Sequence, residues 1–478
     1  MNTVRSAILA LLVALPVQAL AQVPGDAGSR VDRLMARWSS TETPGCAVGV
    51  GSRGETVFSR AYGMADLERD VVATPGTLYE AGSVSKQFTA AAIILLAQRG
   101  RISLTDDVRK YIPELPDYGP TVTIRHMMNH TSGLRDWGSV AGIAGWGRSV
   151  RTHNHDHVVD ILSRQSALNF EPGHEYSYSN SGYNLQAVIV ERVTGMTFAE
   201  FSRENIFEPV GLVDTQWRDD YRRIVKGRSI AYAVAPGGFR IDNPIENVHG
   251  NGGLLTTVSD LLIWNEELNT GATLGGAAFL EEMHRQGILN DGTQIAYASG
   301  LQVGTVNGIR RVSHTGATSG FRAFLARYPD QELSLALICN VSAVNPGGLG
   351  QQIADVFLEA APPTPVPQTA VEAPAPPSTT ADRPRPPFDA SAVDLTPFPG
   401  EYYSADAETT FTVSVEGSRL VIHRRPATRI ALTPSGPDAF DAGGGLGTIR
   451  FIRGAGGDVT ELSVSQARVY DLRFQRQR

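Results

Sequence analysis

The chain has 478 residues, ample for a sizeable core in two or three domains or in one large domain with appendages. Its composition is ordinary for a globular protein, and a net charge of -7 argues against nucleic-acid binding. Its two cysteines, Cys46 and Cys339, are too few for a disulfide-built scaffold.

Residues 1–21 read as a secretory signal. Arg5 supplies the positive start, Ala7 to Leu15 the apolar core, and Ala19-Leu20-Ala21 a small-x-small cleavage pattern. The apolar run falls short of the roughly 20 residues a membrane span needs. The expectation is a mature protein beginning at Gln22, exported to the periplasm or secreted, with no stable transmembrane segment. Export permits a disulfide, but both cysteines sit in apolar strand-like runs. They are expected to be buried free thiols, behaving as small hydrophobes.

Asp26 to Ser40 carries a helical pattern that Pro44 ends. Cys46 to Gly51 and Thr56 to Ala61 read as two strands around a turn at Ser52-Arg53-Gly54. A helix is expected from Ser83 to Gly100. Ala90 to Ala97 offers it no polar face, so it should be buried all round. Leu104 to Val108 should begin a second short helix. Val122 to Leu134 reads as a helix and a tight polar loop, and a further helix should begin near Ser181. Gly252-Gly253 precedes a helix capped by Thr257 or Ser259. Gln302 to Val306, Arg310 to His314, Phe321 to Tyr328 and Leu333 to Cys339 read as antiparallel strands, with Gly308, Gly316, Gly320 and Pro329-Asp330 at the bends. Two strands, a large helical insertion and then several strands define an α+β domain over 22–360.

Composition shifts at Ala360. Residues 361–388 are rich in Pro and Ala and read as an extended linker. Residues 389–478 hold short alternating strands at regular spacing, expected to form a small antiparallel β barrel or sandwich without a chemical site of its own.

Three stretches carry chemistry. In Gly82-Ser83-Val84-Ser85-Lys86, Ser83 and Lys86 are three apart, so on a helix the amine lies beside the hydroxyl. A hydroxyl attacks only when its proton is taken, and a desolvated lysine can take it. Only three lysines occur in the chain, Lys86, Lys110 and Lys226. In Tyr178-Ser179-Asn180 an extended backbone turns the phenol and the amide toward one cavity. Tyr178 can pass a proton if positive charge lowers its pKa, and Asn180 can hold a substrate carbonyl and steady Lys86. In His314-Thr315-Gly316, placed at a strand end, Gly316 leaves room for substrate along the strand. The Ala317 amide can then pair with that of Ser83 as an oxyanion hole.

These three motifs, in this order, resemble the serine β-lactamase-like family, which includes class C β-lactamases, penicillin-binding DD-peptidases, D-aminopeptidases and related esterases. The resemblance covers Val31 to Leu358. It extends to the phrases Ala81 to Thr89, His130-Thr131-Ser132-Gly133-Leu134, Tyr178 to Tyr183 and Gly252-Gly253-Leu254. It implies a β-lactamase/transpeptidase-like fold. It implies Ser83 as nucleophile, Lys86 and Tyr178 as the acid/base pair, Asn180, His314 and Gly316 as substrate contacts, and the Ser83 and Ala317 amides as oxyanion hole. No cofactor and no metal are implied.

Two departures shape the expected function. The third motif usually opens with a lysine that holds a substrate carboxylate. Here His314 stands there, and a neutral imidazole gives up most of that attraction. No Ser-Asp-Asn motif occurs, so the class A pattern does not apply. Histidine at this place and an appended barrel resemble D-aminopeptidase-like and esterase-like members. The expectation is therefore an exported serine hydrolase acting through an acyl-enzyme on a small peptide amide or ester, with peptidoglycan as a candidate source of it. The alternatives are a β-lactamase or D-Ala-D-Ala carboxypeptidase, and a non-catalytic penicillin- or peptidoglycan-sensing protein. His153-Asn154-His155-Asp156-His157 is read as a polar loop, with Asn154 or Asp156 capping a helix from Val158, rather than as a metal site.

Overall fold

The computed structural model describes residues 25–359, 393–443 and 445–478. The expected signal segment, 1–21, and the expected linker, 361–388, lie outside the described residues. Among the described residues, no helix is long and apolar enough to cross a membrane.

The fold is the expected α+β one. Six antiparallel strands lie in the order Gln302–Val306, Ile309–Thr318, Phe321–Tyr328, Leu333–Cys339, Cys46–Ser52 and Glu55–Tyr62. The N-terminal pair thus completes a sheet begun by the later strands. Its central strands are buried on both faces, and their side chains divide with period two. Val48, Val50, Leu335 and Leu337 pack with helices Ala27–Met35 and Pro346–Leu358. Ala47, Ala336 and Ile338 face the larger helical layer, which includes Lys86–Gln98 and Val258–Thr270. Every residue of the first helix from Lys86 to Leu96 is buried, as its lack of a polar face requires.

Several expectations change. Cys46 and Cys339 are register partners on adjacent strands and form a disulfide, so neither is a free thiol. Leu104 begins no helix. The Asp107 side chain accepts from the Arg109 amide and caps a single 3-10 turn, Val108–Lys110. The strand expected to end at His314 runs on to Thr318, so Gly316 lies inside it and is no bend. A close approach is what requires glycine there: a β-carbon would lie 2.0 Å from the Ala81 carbonyl oxygen. Thr257 caps the helix Val258–Thr270, its hydroxyl accepting from the Asp260 amide.

Beyond residue 393, eight antiparallel strands close into a barrel, the first pairing with the last through Tyr402↔Arg476. Inward aromatic side chains fill it: Phe411 stacks on Phe474 at 4.3 Å, and Phe398 lies 4.6 Å from Phe451. The barrel sits against the helical layer. Arg135 Nη1 donates to Asp406 Oδ2 at 2.7 Å in a buried ion pair. Arg424 donates to the Gly142 and Ile143 carbonyls, and Arg425 Nε to that of Ala144.

Candidate active site

Ser83 lies in one turn of 3-10 helix, Gly82–Ser85, and Lys86 opens the α-helix that follows. The expected α-helical start at Ser83 is therefore tighter than predicted. The consequence for the pair is small, because positions i and i+3 eclipse in a 3-10 turn. Gly82 adopts φ +53°, open to glycine, and a β-carbon there would meet the Ala317 nitrogen at 2.6 Å. The turn is thus pressed against strand Ile309–Thr318, with the Ala317 amide against Gly82, the residue before Ser83. The neighbouring strand pairs with this one only as far as Ser313, so its edge is free of that partner from His314 onward.

Lys86 Nζ lies 3.3 Å from Ser83 Oγ. It donates to Asn180 Oδ1 at 2.9 Å and to the Asn251 carbonyl at 2.7 Å. A neutral amine has two hydrogens and one lone pair. The two carbonyl oxygens take the hydrogens, which leaves the lone pair for the Ser83 proton. Burial pushes the Lys86 pKa well below the ordinary lysine value. Arg468 and Arg148 push it further down, and Asp136 opposes them. Ser83 itself is only half-buried.

The Tyr178 ring centroid lies 4.8 Å from Lys86 Nζ. Among the described residues its buried hydroxyl has no partner in hydrogen-bond geometry, although the Ser83 hydroxyl is near. Burial raises its pKa to about 12, against the downward pull of the nearby Ser83 hydroxyl and of Arg468. The lowered phenol pKa that proton transfer from Tyr178 would use is therefore not its resting state. Ser179 is extended, and Asn180 opens helix Asn180–Thr194, one residue earlier than predicted. Asp136 Oδ2 accepts from the Asn180 amide at 2.8 Å, which locks that residue against Lys86.

His314 is 4% exposed, and both its nitrogens are taken up within the protein. Nδ1 lies 2.6 Å from the Thr315 carbonyl and Nε2 2.9 Å from Tyr297 Oη. A ring donating from Nδ1 accepts the tyrosine proton at Nε2. Burial, with the Lys86 charge, lowers its pKa to about 4, so it is neutral at pH 7. The structure brings Ser83, Lys86, Tyr178, Asn180, Gly316 and Ala317 together, and buries His314 beside them, its ring 6.3 Å from that of Tyr178 and 5.7 Å from that of Tyr297, with neither nitrogen left open for the substrate contact expected of it.

Four contributors escaped the sequence reading. Asn251 supplies a carbonyl to Lys86, and its side chain is held by Asn184 at 2.7 Å. His130 sits at φ +59° with its ring 4.2 Å from that of Tyr178 and 4.5 Å from that of Tyr297. Its Nδ1 accepts from the Ser179 amide, which fixes the segment carrying Tyr178. Tyr297 contacts His314 as above. Arg468, from the barrel, lies over Tyr178. Only His130 had a local signal, the loop after an expected helix.

The histidine cluster disperses. Asn154 caps helix His155–Ser163, which starts three residues before the expected Val158. His153 bonds the Trp146 carbonyl, and His157 accepts from the Asn154 amide. A different trio, His155, Glu191 and His249, brings ligating atoms within 4.8 Å of one another. His155 there sits on the His249 main chain, and Glu191 accepts from the Phe198 amide. Two clefts, of 280 and 370 Å³, have no site residue in their walls.

The Beta-lactamase family model matches residues 29–356, so the chain belongs to the beta-lactamase family, with the fold of its serine hydrolases. Penicillin-binding protein 4* of Bacillus subtilis (strain 168) is 32% identical over 305 residues, covering 60% of this chain and 66% of that protein. A D-aminopeptidase of Cereibacter sphaeroides is 30% identical over 303 residues, covering 63% of this chain and 57% of its own. The match thus spans just under two thirds, or less, of these relatives' length. The octameric penicillin-binding protein homologue from Pyrococcus abyssi shares the fold over 95% of this chain and 99% of its own, at TM-score 0.61 and 21% identity. The D-amino acid amidase of Ochrobactrum anthropi SV3 does so over 70% and 98%, at TM-score 0.56 and 22% identity.

Proposed function

We propose that the chain is an exported serine hydrolase that forms an acyl-enzyme through Ser83 on a small peptide amide or ester, in the manner of D-aminopeptidases or esterases. The observation that carries the reading is the buried Lys86 amine 3.3 Å from Ser83 Oγ, its hydrogens committed to Asn180 and Asn251. Ser83 Oγ bonds to the substrate carbonyl carbon while its proton passes to Lys86. The carbonyl oxygen becomes the oxyanion, held by the Ser83 and Ala317 amides. Collapse expels the leaving amine or alkoxide, which takes the proton back by way of Lys86 and Tyr178. Water then attacks the acyl carbon while Lys86 accepts its proton, and collapse breaks the acyl–Oγ bond, Lys86 returning the proton to Ser83 Oγ as the acid leaves. Asn180 and the strand edge at Gly316 hold the substrate.

Two observations support export: the signal-like sequence of residues 1–21 and the Cys46–Cys339 disulfide, a bond that persists in oxidising compartments. A fluorophosphonate probe should label the wild-type protein and leave Ser83→Ala unlabelled. Equal labelling of the two would remove Ser83 from the role.

A further inference from the structure

The third motif carries no cation, because His314 is buried and neutral. One arrives from the other end of the chain. Strands Val459–Gln466 and Val469–Arg476 of the barrel are joined by a two-residue turn, Ala467-Arg468. The main chain of this turn is held from the helical layer. The Asp136 amide donates to the Arg468 carbonyl at 3.2 Å, and Asn169 Nδ2 donates to it at 3.0 Å. Asn169 Oδ1 accepts from the Tyr470 amide at 2.8 Å, and Arg135 Nη2 donates to the Tyr470 carbonyl at 3.1 Å.

With its backbone so held, Arg468 places its guanidinium carbon 4.8 Å from the Tyr178 ring centroid. Stacking on a ring satisfies the guanidinium face and leaves its N–H edge unspent. Among the described residues, no acceptor takes that edge and no carboxylate stands within ion-pair distance. Asp136 is committed to the Ser139 and Asn180 amides, and Arg148, a second cation acting on Lys86, is paired with Glu246. Arg468 is half-buried, and its charge bears on Lys86, His130, Tyr176 and Tyr178 alike.

We propose that Arg468 is the charged end of a substrate subsite over Tyr178, and that it takes a carboxylate carried by the peptide or ester substrate. This rests on the Ser83 reading above. A guanidinium presents two parallel N–H groups that match a carboxylate. An ammonium brought to the same place meets a like charge. The barrel therefore contributes selectivity to the chemistry of the other unit, through a residue more than 150 positions downstream of His314.

The test compares substrates that differ only in charge. One pair is N-acetyl-D-Ala-D-Ala and its C-terminal amide, with the carboxylate on the leaving side. The other is the p-nitrophenyl ester of glutaric acid and that of glutaramic acid, with it on the acyl side. In at least one pair the free acid should have the higher kcat/KM by about tenfold. Arg468→Gln should abolish that ratio, Arg468→Lys should keep part of it, and added salt should shrink it in the wild type. With the Arg468 charge gone, the Lys86 pKa should also rise, moving the acidic limb of the kcat/KM profile to higher pH. Equal rates within both pairs, or a preference that survives Arg468→Gln, overturns the subsite. Hydrolysis that persists in Ser83→Ala sinks the acyl-enzyme reading instead, so the two failures are separable.

Discussion

A β-carbon on Gly316 would sit 2.0 Å from the Ala81 carbonyl oxygen, and one on Gly82 would sit 2.6 Å from the Ala317 nitrogen. The serine turn and the third-motif strand are therefore in backbone-to-backbone contact. Neither side can yield by rotating a side chain. Gly316→Ala should push the strand off the turn and shift the Ala317 amide relative to Ser83. A displacement near 1 Å lowers kcat/KM on the order of a hundredfold. Steady-state kinetics on any turned-over ester checks this, and a variant as active as the wild type would show the contact to be dispensable.

His314 makes an acid-side prediction. Its pKa is about 4 in the folded protein, against 6.5 for a free histidine. Above pH 6.5 it is neutral in both states and has no effect. As pH falls from 6.5 toward 4 the unfolded chain binds a proton first, so the folded state loses stability over that window. The full shift corresponds to a loss on the order of 3 kcal/mol. Other buried histidines add to the same trend, so the comparison is of slopes. Urea unfolding of His314→Asn between pH 7 and pH 4 should fall less steeply than that of the wild type, and parallel curves would contradict the assignment.

The disulfide between Cys46 and Cys339 ties strands 293 residues apart in sequence. A free-thiol assay on denatured, unreduced protein should find no titratable thiol. Cys46→Ser/Cys339→Ser should lower unfolding stability by about 2–5 kcal/mol, the usual cost of removing a native bridge. Two thiols titrating in the wild type would reverse the conclusion.

Much of the fold was legible because its signals are local. Apolar runs of strand length bounded by turn residues marked the six strands, and a helix without a polar face had to be buried. Ser83, Lys86, Tyr178 and Asn180 were legible because spacing sets each pair on one side of the chain and because the three motifs together resemble a known family. Gly316 shows the limit. A glycine after His314-Thr315 reads as a bend. Only its pairing with Ala323 shows that it sits inside a strand, and only the approach of Ala81, far off in sequence, shows why it is glycine. Cys46 and Cys339 look like buried hydrophobes until strand register sets them opposite each other. Arg468 is one arginine on one hairpin turn, and nothing near it in sequence points toward Tyr178. Its place depends on how the barrel docks, through Arg135 and Asn169, which is long-range information that no window of sequence contains.

The bond between Cys46 and Cys339 also makes the intervening chain a covalent ring. Ser83, Lys86, Tyr178, Asn180, Asn251, His314 and Ala317 all lie inside it, and Arg468 lies outside. A protease that nicks a loop within the ring leaves its fragments tethered, and they stay one species on a non-reducing gel. A cut between residues 360 and 392 is different: it leaves Ser83 on one polypeptide and Arg468 on another, held together among the described residues by the docking contacts of the barrel.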